Sequence, residues 1–446
     1  MKKIALFFLF VFPFATHGQT TQSLTEKAKP ADSLVDSIGV NVHMTYSNTA
    51  YGNVSAVEKM ISMLGVRHVR DGGKYYPSDP GYNEYEFGLY GDVSSLGIGF
   101  DLILNFEGGT DPNPMTPEVV SALQSLTTNY KVKIDSFEGP NEVDIAEDKN
   151  WVDDTRSFMK SAYSSTSEAF GASKMVLLGP TLAGPATDWT LLGNLTSYED
   201  AGNIHPYANT QYPSYNFAAN LAEEEQVSGS QKIYVTEAGW SNAMNATDNS
   251  PNVTEEVASR YIGRLFLEAI REGWSRTYAY ELVDELTDPG LTKTQEHYGL
   301  FRSDYSPKPA ATTIANMIAL LSDKGYTAMA TNTLSYSLTT PSVAVHHLLL
   351  QKHDGSYWLV LWQEVSNWRG WNAQGTEITN PDLAVTLTLP TAASSIETYL
   401  PLDSASVVES TSDKQTVTLM VPDNPLLVKI VMVSPPTDLR VSSAGH

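Results

Sequence analysis

Residues 134–142, Ile134-Asp135-Ser136-Phe137-Glu138-Gly139-Pro140-Asn141-Glu142, read as a short buried strand that runs into a Gly-Pro turn and delivers an Asn-Glu pair. A helical pattern at 117–130 precedes it and another at 153–170 follows, so this strand belongs to a strand–helix alternation. Working outward, strand candidates recur at 38–44, 66–70, 100–105, 134–137, 175–179, 203–205, 233–236 and 277–281. Further amphipathic segments lie at 54–64, 216–225 and 254–271, with a closing helix at 309–321. The pattern is clearest at 254–271, where Val257, Tyr261, Leu265 and Ala269 recur at helical spacing. Asn252 reads as its N-cap, with Glu255 three residues on. Eight such units predict a closed (β/α)8 TIM barrel, a fold of typically about 250 residues. An open doubly wound sheet that binds a dinucleotide would need GxGxxG after the first strand, and that motif is missing.

Beyond about residue 325 the texture changes. Segments 335–340, 343–352, 357–365, 384–390, 395–400, 406–410, 416–421 and 427–433 are rich in Val, Thr and Leu with period-two alternation. Asp354-Gly355 between two of them is a hairpin signal. The expected organisation is therefore an α/β barrel over 19–324, an all-β sandwich over 325–436 and a short tail over 437–446. Trp362 alternates with Val360 and reads as core; Trp358, Trp368 and Trp371 are open between core and a sugar-binding platform.

Residues 1–18 stand apart. Lys2 and Lys3 precede an apolar run from Ile4 to Phe14, and Ala15-Thr16-His17-Gly18 offers small residues for cleavage before Gln19. This is the pattern of a secretory signal, too short to span a bilayer, and predicts a secreted or periplasmic protein with no membrane insertion once it is removed. The asparagines of four Asn-x-Ser/Thr sites, Asn53, Asn194, Asn245 and Asn252, would take glycans only in a pathway with that machinery. The 446 residues contain 41% hydrophobic side chains, ample for a packed core, and no Cys. Disulfides, thiolate metal sites and Cys nucleophiles are excluded. With 28 Lys and Arg against 51 Asp and Glu, the net charge is −23, which argues against nucleic acid and anionic lipid surfaces and suits a neutral or cationic ligand.

In a barrel of this kind, chemistry sits at the carboxyl ends of the strands. Glu142 follows the fourth strand, and Glu237 follows Ile233-Tyr234-Val235-Thr236 on the seventh. Strands four and seven lie across the barrel mouth and can aim both carboxyls at one pocket. Two facing carboxyls are the minimal machinery for cleaving a glycosidic bond, one protonated to release the leaving oxygen and one ionised to attack the anomeric carbon. HExxH and GxSxG are absent, and the nine His show no metal-ligand spacing, so neither a catalytic metal nor a cofactor is expected. Asp284, Glu285 and Asp288 read as a solvated acidic loop. Tyr75, Tyr76, Tyr82 and Tyr85 after strand two, Trp151, and Tyr212 with Tyr215 are candidate sugar-packing rings.

These motifs resemble glycoside hydrolase clan A. Gly139-Pro140-Asn141-Glu142 is similar to the clan's Asn-Glu signature, and Thr236-Glu237-Ala238-Gly239-Trp240 to the segment carrying its second Glu. His205-Pro206-Tyr207 resembles the His-x-Tyr element after strand six of family 5 and related barrels. Gly299-Leu300-Phe301 and Ser306-Pro307-Lys308-Pro309-Ala310 resemble the exit from strand eight. The trailing β-domain, with Leu359-Val360-Leu361-Trp362, is similar to those of families 39 and 30. The chain departs from the usual Trp-Asn-Glu-Pro form, and carries Tyr280-Glu281 where many members have Trp.

The resemblance implies a retaining enzyme with Glu142 as acid/base, Glu237 as nucleophile, and a β-linked or equivalently configured glycan as substrate. Arg70 would hold Glu237 ionised, or simply pair with Asp71. Tyr207 would donate to Glu237, or only pack. Asn141 would bind a sugar hydroxyl, or cap its loop. His43, His205, Trp240 and Glu281 complete the candidate substrate site. A transglycosidase using the same pair, and an exported carbohydrate-binding protein on an inert barrel, are the alternative readings.

Overall fold

The structure, a computed structural model, describes residues 19–75, 79–106, 117–145, 149–173 and 175–433. The expected export signal over 1–18, Tyr76 and the expected tail over 437–446 lie outside these residues. The chain opens with β1 (Thr20–Lys27), β2 (Lys29–Pro30) and α1 (Ala31–Asp36). The barrel then alternates β3 (Ile38–Asn41), α2 (Val54–Leu64), β4 (His68–Tyr75), α3 (Pro80–Ser95), β5 (Gly99–Phe106), α4 (Pro117–Thr128), β6 (Ile134–Glu138) and α5 (Trp151–Phe170). It continues through β7 (Val176–Leu178), α6 (Thr187–Leu192), β8 (Gly202–Ile204), α7 (Phe217–Ser228), β9 (Ile233–Ala238), α8 (Glu255–Arg271), β10 (Arg276–Ala279) and α9 (Pro309–Leu321). The eight strands β3 to β10 pair in parallel in the order β7-β6-β5-β4-β3-β10-β9-β8. A bridge between Leu178 and Ala201 closes the ring between β7 and β8.

Each barrel strand alternates its faces. Val40, Val69, Phe100, Leu102, Phe137, Ile204 and Val235 join the apolar cluster shared with the helices. Between them Asn41, Arg70, Asp101, Ser136, Glu138, Asn203 and Thr236 are buried polar groups. The lumen beneath the barrel mouth is therefore polar, where branched aliphatic side chains usually fill it.

Two local expectations change. The segment after β4 is the helix α3, capped by Asp79, which accepts from Tyr82 N at 3.0 Å. Glycines at 81, 88 and 91 hide it in the sequence, yet Gly91 is needed, because a Cβ there would meet Tyr130 O at 2.6 Å. The N-cap of α8 is Thr254, which accepts from Val257 N at 3.3 Å. Asn252 instead accepts from Ala243 N and donates to Ser250 O and Thr294 Oγ1, and is buried.

The β-domain follows with β11 (Thr333–Thr340), β12 (Val345–Gln351), β13 (Tyr357–Gln363), β14 (Trp368–Arg369), β15 (Thr376–Glu377), β16 (Leu383–Tyr399), β17 (Val407–Thr411), β18 (Lys414–Val421) and β19 (Leu426–Met432). The two segments 384–390 and 395–400 form one long strand, β16, whose register shifts between Thr388 and Ala393 as it passes from β18 to β19. β1 pairs along its whole length with β11, from Thr20↔Thr340 to Lys27↔Thr333, so the N-terminus completes the β-domain. Its sequence, TTQSLTEK, holds a single aliphatic side chain and gives no apolar period to read.

β13 is buried on both faces. Leu359 and Leu361 fill the β-domain's own core, while Trp358, Val360 and Trp362 pack with the barrel. The joint is also polar. On α8, the fully buried Arg264 donates to the carbonyls of Gln363 and Val365 and to Asn367 Oδ1, and Glu268 accepts from Trp362 Nε1 at 2.7 Å. Among the described residues no helix is long and apolar enough to cross a membrane.

Candidate active site

Arg70, on β4, organises the barrel mouth from below. Its Nε and Nη2 donate to the two oxygens of Glu138 at 2.5 and 3.0 Å, and Nη1 donates to Asn41 Oδ1 at 3.0 Å. The same guanidinium reaches Glu237 Oε1 at 2.5 Å and Asn141 Oδ1 at 2.7 Å. Its partners are therefore Glu138 and Glu237; the adjacent Asp71 accepts from Met44 N and Gly72 N. Because Asn141 Oδ1 is committed to Arg70, the group it can offer the cleft is its Nδ2 donor. Burial and the neighbouring Glu138 push the carboxyl of Asp101 well above the usual range, so it keeps its proton within this cluster.

Glu237 ends β9. Tyr207 Oη donates to its Oε2 at 2.7 Å. Burial pushes this carboxyl up, but the charges of His205 and Arg70, with the hydrogen bonds from Tyr207 and Arg70, outweigh it and hold Glu237 at about 2. It is ionised at any ordinary pH. Gly239 lets the following turn close: a Cβ there would meet Tyr280 O at 2.1 Å.

Glu142 follows the Gly-Pro turn after β6 and adopts φ of 49°, in the left-handed region that costs a non-glycine residue energy. Its backbone N–H donates to Thr181 O at 3.0 Å, which fixes the turn. Its carboxyl lies 2.7 Å from His205 Nδ1. Behind it runs a chain of polar groups: His205 Nε2 to Thr236 Oγ1 at 3.0 Å, Thr236 Oγ1 to Asn203 Oδ1 at 2.6 Å, and Asn203 Nδ2 to Glu138 Oε2 at 3.1 Å. Glu138 thus connects the surroundings of both Glu142 and Glu237. The sequence reading missed Glu138, Asn203 and Thr236, although all three stand at inward positions of strands that end in candidate residues.

Above this layer opens a cleft of about 490 Å³ whose lining includes Glu142, Glu237, Asn141, Arg70, His43, Tyr207 and Trp240. His205 stands one layer behind. Glu281 does not reach the cleft: it is fully buried, accepts from Tyr51 Oη at 2.8 Å and lies 3.4 Å from His43 Nε2. The aromatic wall is Tyr46, Tyr207, Trp240, Tyr280 and Tyr298. Tyr207, Tyr280 and Tyr298 stack edge to face at 5.6 to 6.4 Å. Tyr82, Tyr85, Trp151, Tyr212 and Tyr215 are not part of that wall. Tyr298 directly precedes the Gly-Leu-Phe exit motif and could have been read from it.

Among the described residues, two sets bring His and carboxylate atoms within 4.8 Å of one another, Glu142 with His205 and Glu237, and His43 with Glu281 and Glu285. In the first, the Arg70 guanidinium already occupies Glu237 Oε1, and its charge opposes a metal cation there.

No protein-family model and no curated protein matches the sequence. Among solved structures the chain is similar to a glucosidase from Croceicoccus marinus, with a TM-score of 0.60 and 12% identity over 92% of this chain and 97% of that one. It is similar to the GH39 enzyme from Xanthomonas axonopodis pv. citri, with a TM-score of 0.56 and 13% identity over 91% and 96%. A monomeric β-xylosidase from Caulobacter crescentus CB15 gives 0.54 and 12% over 92% and 98%. These neighbours are thus a glucosidase, a GH39 enzyme and a β-xylosidase, and family 39 is among the groups that the motifs resemble. At such identities the likeness is one of fold, and the coverage takes in both the barrel and the β-domain.

Proposed function

We propose that this chain is an exported retaining glycoside hydrolase that cleaves a β-linked poly- or oligosaccharide. The observation that carries the reading is the pairing across the cleft: an oxygen of Glu142 and an oxygen of Glu237 lie within 4.8 Å. That spacing supports the retaining arrangement, in which the carboxyls stand about 5–5.5 Å apart, over the inverting one at about 6.5–9.5 Å, which leaves room for a water. The named activities of the fold neighbours and the apolar run at 4–14 support the substrate class and the export. The setting separates the two roles. Glu237, bound by Arg70 and Tyr207, is the ionised nucleophile. Glu142, sharing a proton with His205, protonates the leaving oxygen as Glu237 Oε bonds to the anomeric carbon. Glu142 then takes the proton of the water that releases the sugar from Glu237.

The test is sugar release from plant, algal and microbial polysaccharides and from aryl β-glycosides, by wild type beside Glu237→Gln and Glu142→Gln. Wild type should release sugar, Glu237→Gln should release none, and Glu142→Gln should lose about 10²–10⁴-fold on poor leaving groups. The first product should keep its anomeric configuration by NMR. Equal activity in wild type and Glu237→Gln would remove the nucleophile from the proposal, and an inverted product would remove the double displacement.

A further inference from the structure

The four β-domain tryptophans at 358, 362, 368 and 371 part company in the structure. Trp358, Trp362 and Trp368 are buried at 4%, 0% and 3% exposure, whereas Trp371 is 52% exposed. It stands at the tip of the β14–β15 hairpin, and that tip is built firmly. Trp368 Nε1 donates to Asn372 O at 3.2 Å, Gly375 N donates to Asn372 O at 3.0 Å, and Gln374 N donates to Asn372 Oδ1 at 3.1 Å. Gly375 lies against the Trp368 indole, where a Cβ would meet Nε1 at 2.3 Å.

The tip is anchored on the carboxyl-end face of the barrel, on the loops after β8 and β9. Thr210 Oγ1 donates to Gly370 O at 2.7 Å, and Asn372 Nδ2 donates to Asn249 Oδ1 at 2.6 Å. Gln374 Nε2 donates to Ala246 O at 3.3 Å. The residues on either side of Trp371 are thus each tied to a cleft-lining loop: Asn209, next to Thr210, and Pro251, two residues beyond Asn249, both line the cleft. A half-exposed indole on a rigid mount beside a polar cleft offers an apolar face with little ordering left to do when a flat partner stacks on it.

We infer that Trp371 forms a remote sugar subsite, at which the β-domain binds a ring of the glycan beyond the one held at Glu142 and Glu237. The inference rests on the glycosidase reading of that cleft and deepens it: the substrate is a chain, and both domains hold it. The β-domain thereby has a role in recognition as well as in support.

The test compares wild type with Trp371→Ala and Trp371→Phe on single-sugar aryl β-glycosides and on cello-, xylo- and laminari-oligosaccharides from disaccharide to hexasaccharide. Thermal unfolding of each variant serves as the folding control. For Trp371→Ala, the ratio of kcat/KM on the longest hydrolysed chain to that on the aryl glycoside should fall about five- to tenfold, the scale of one aromatic contact, and mostly through KM. Trp371→Phe should recover part of it. In the Glu237→Gln background, calorimetry should show the same weakening of chain binding. A ratio that stays within about twofold of wild type would overturn the subsite while leaving the hydrolase reading intact. Chain binding that depends on Trp371 in a wild type that hydrolyses nothing would keep the subsite and overturn the hydrolase.

Discussion

His205 Nε2 sits 3.0 Å from Thr236 Oγ1, and that hydroxyl gives its own proton to Asn203 Oδ1 at 2.6 Å. Asn203 Oδ1 is an acceptor because its Nδ2 is turned to Glu138. Thr236 Oγ1 must then accept, so His205 Nε2 carries a hydrogen. The 2.7 Å contact between His205 Nδ1 and Glu142 therefore shares one proton, held on either the ring or the carboxyl. That is the proton a departing sugar oxygen needs. Thr236→Val keeps the shape and removes the acceptor. We expect kcat/KM to fall about ten- to a hundredfold, with kcat affected more than KM, the cost of a buried unmatched donor. The pH–rate profile of the Val variant should depart from that of wild type, and Thr236→Ser should restore it. A Val variant whose pH profile superimposes on wild type would reduce the chain to packing.

Arg70 is the cation shared by Glu138, which is fully buried, and Glu237, which is partly open to the cleft, and this sets a second pH dependence. Glu237 is held at about 2, below its ordinary 4.5. A depressed carboxyl contributes stability that is present above the unfolded value and is lost as pH falls toward the folded one. Wild type should therefore lose this contribution between about pH 4.5 and 2. Arg70→Met leaves the buried Glu138 and the half-buried Glu237 without their cation. At pH 7 it should be destabilised by about 3–5 kcal/mol in urea unfolding, and the difference from wild type should shrink at pH 3 as Glu237 takes up its proton. A difference independent of pH would point to lost packing alone.

The barrel was legible because its eight strands are short apolar runs spaced by amphipathic helices, and because Glu142 and Glu237 fall at strand ends where position alone marks them. What stayed hidden has physical reasons. α3 carries three glycines and no apolar stripe, and is held by its Asp79 cap and by close packing at Gly91. β1 is polar on nearly every residue and exists because β11 offers it an edge. Glu281 follows β10 beside the cleft, yet its carboxyl turns to Tyr51 in the interior, a choice of direction that a one-dimensional pattern does not carry. Glu138, Asn203 and Thr236 look like ordinary strand polar residues until the barrel closes and brings three strands to one lumen.

The joint between the domains depends on Arg264. Its guanidinium, fully buried on α8, donates to Arg260 O, Gln363 O, Val365 O and Asn367 Oδ1, and lies 3.7 Å from the buried Glu364. Arg264→Met fills the space but strands these acceptors and leaves Glu364 without its cation. We expect a loss of about 3–5 kcal/mol in chemical denaturation, with Arg264→Lys intermediate because one ammonium cannot reproduce the fork. Since residues 363–367 lead into the β14–β15 hairpin, both variants should also weaken long glycans more than aryl glycosides. Unchanged stability in Arg264→Met would show that the apolar contacts of Trp358, Val360 and Trp362 hold the domains alone.

Glu199 supplies the opposite sign. Its carboxyl is buried beside the closing seam of the barrel, against Gly179, where a Cβ would meet Oε2 at 2.4 Å, and neither oxygen has a hydrogen-bond partner among the described residues. Burial first, and then the charge of Asp200, push it up to about 8. Glu224, buried on α7, is raised as well, by burial and then by Glu199. A carboxyl raised in the folded state keeps a proton that the unfolded chain has released. Stability then falls as pH climbs from about 4.5 to 8, by about 1.4 kcal/mol per unit. Glu199→Gln removes the titration and keeps the shape. It should match wild type within about 1 kcal/mol at pH 4.5, and its advantage should grow steadily to pH 8, read as a widening gap between the two Tm curves. A constant gap across that range would mean that the seam holds Glu199 ionised throughout, with partners that burial alone does not reveal.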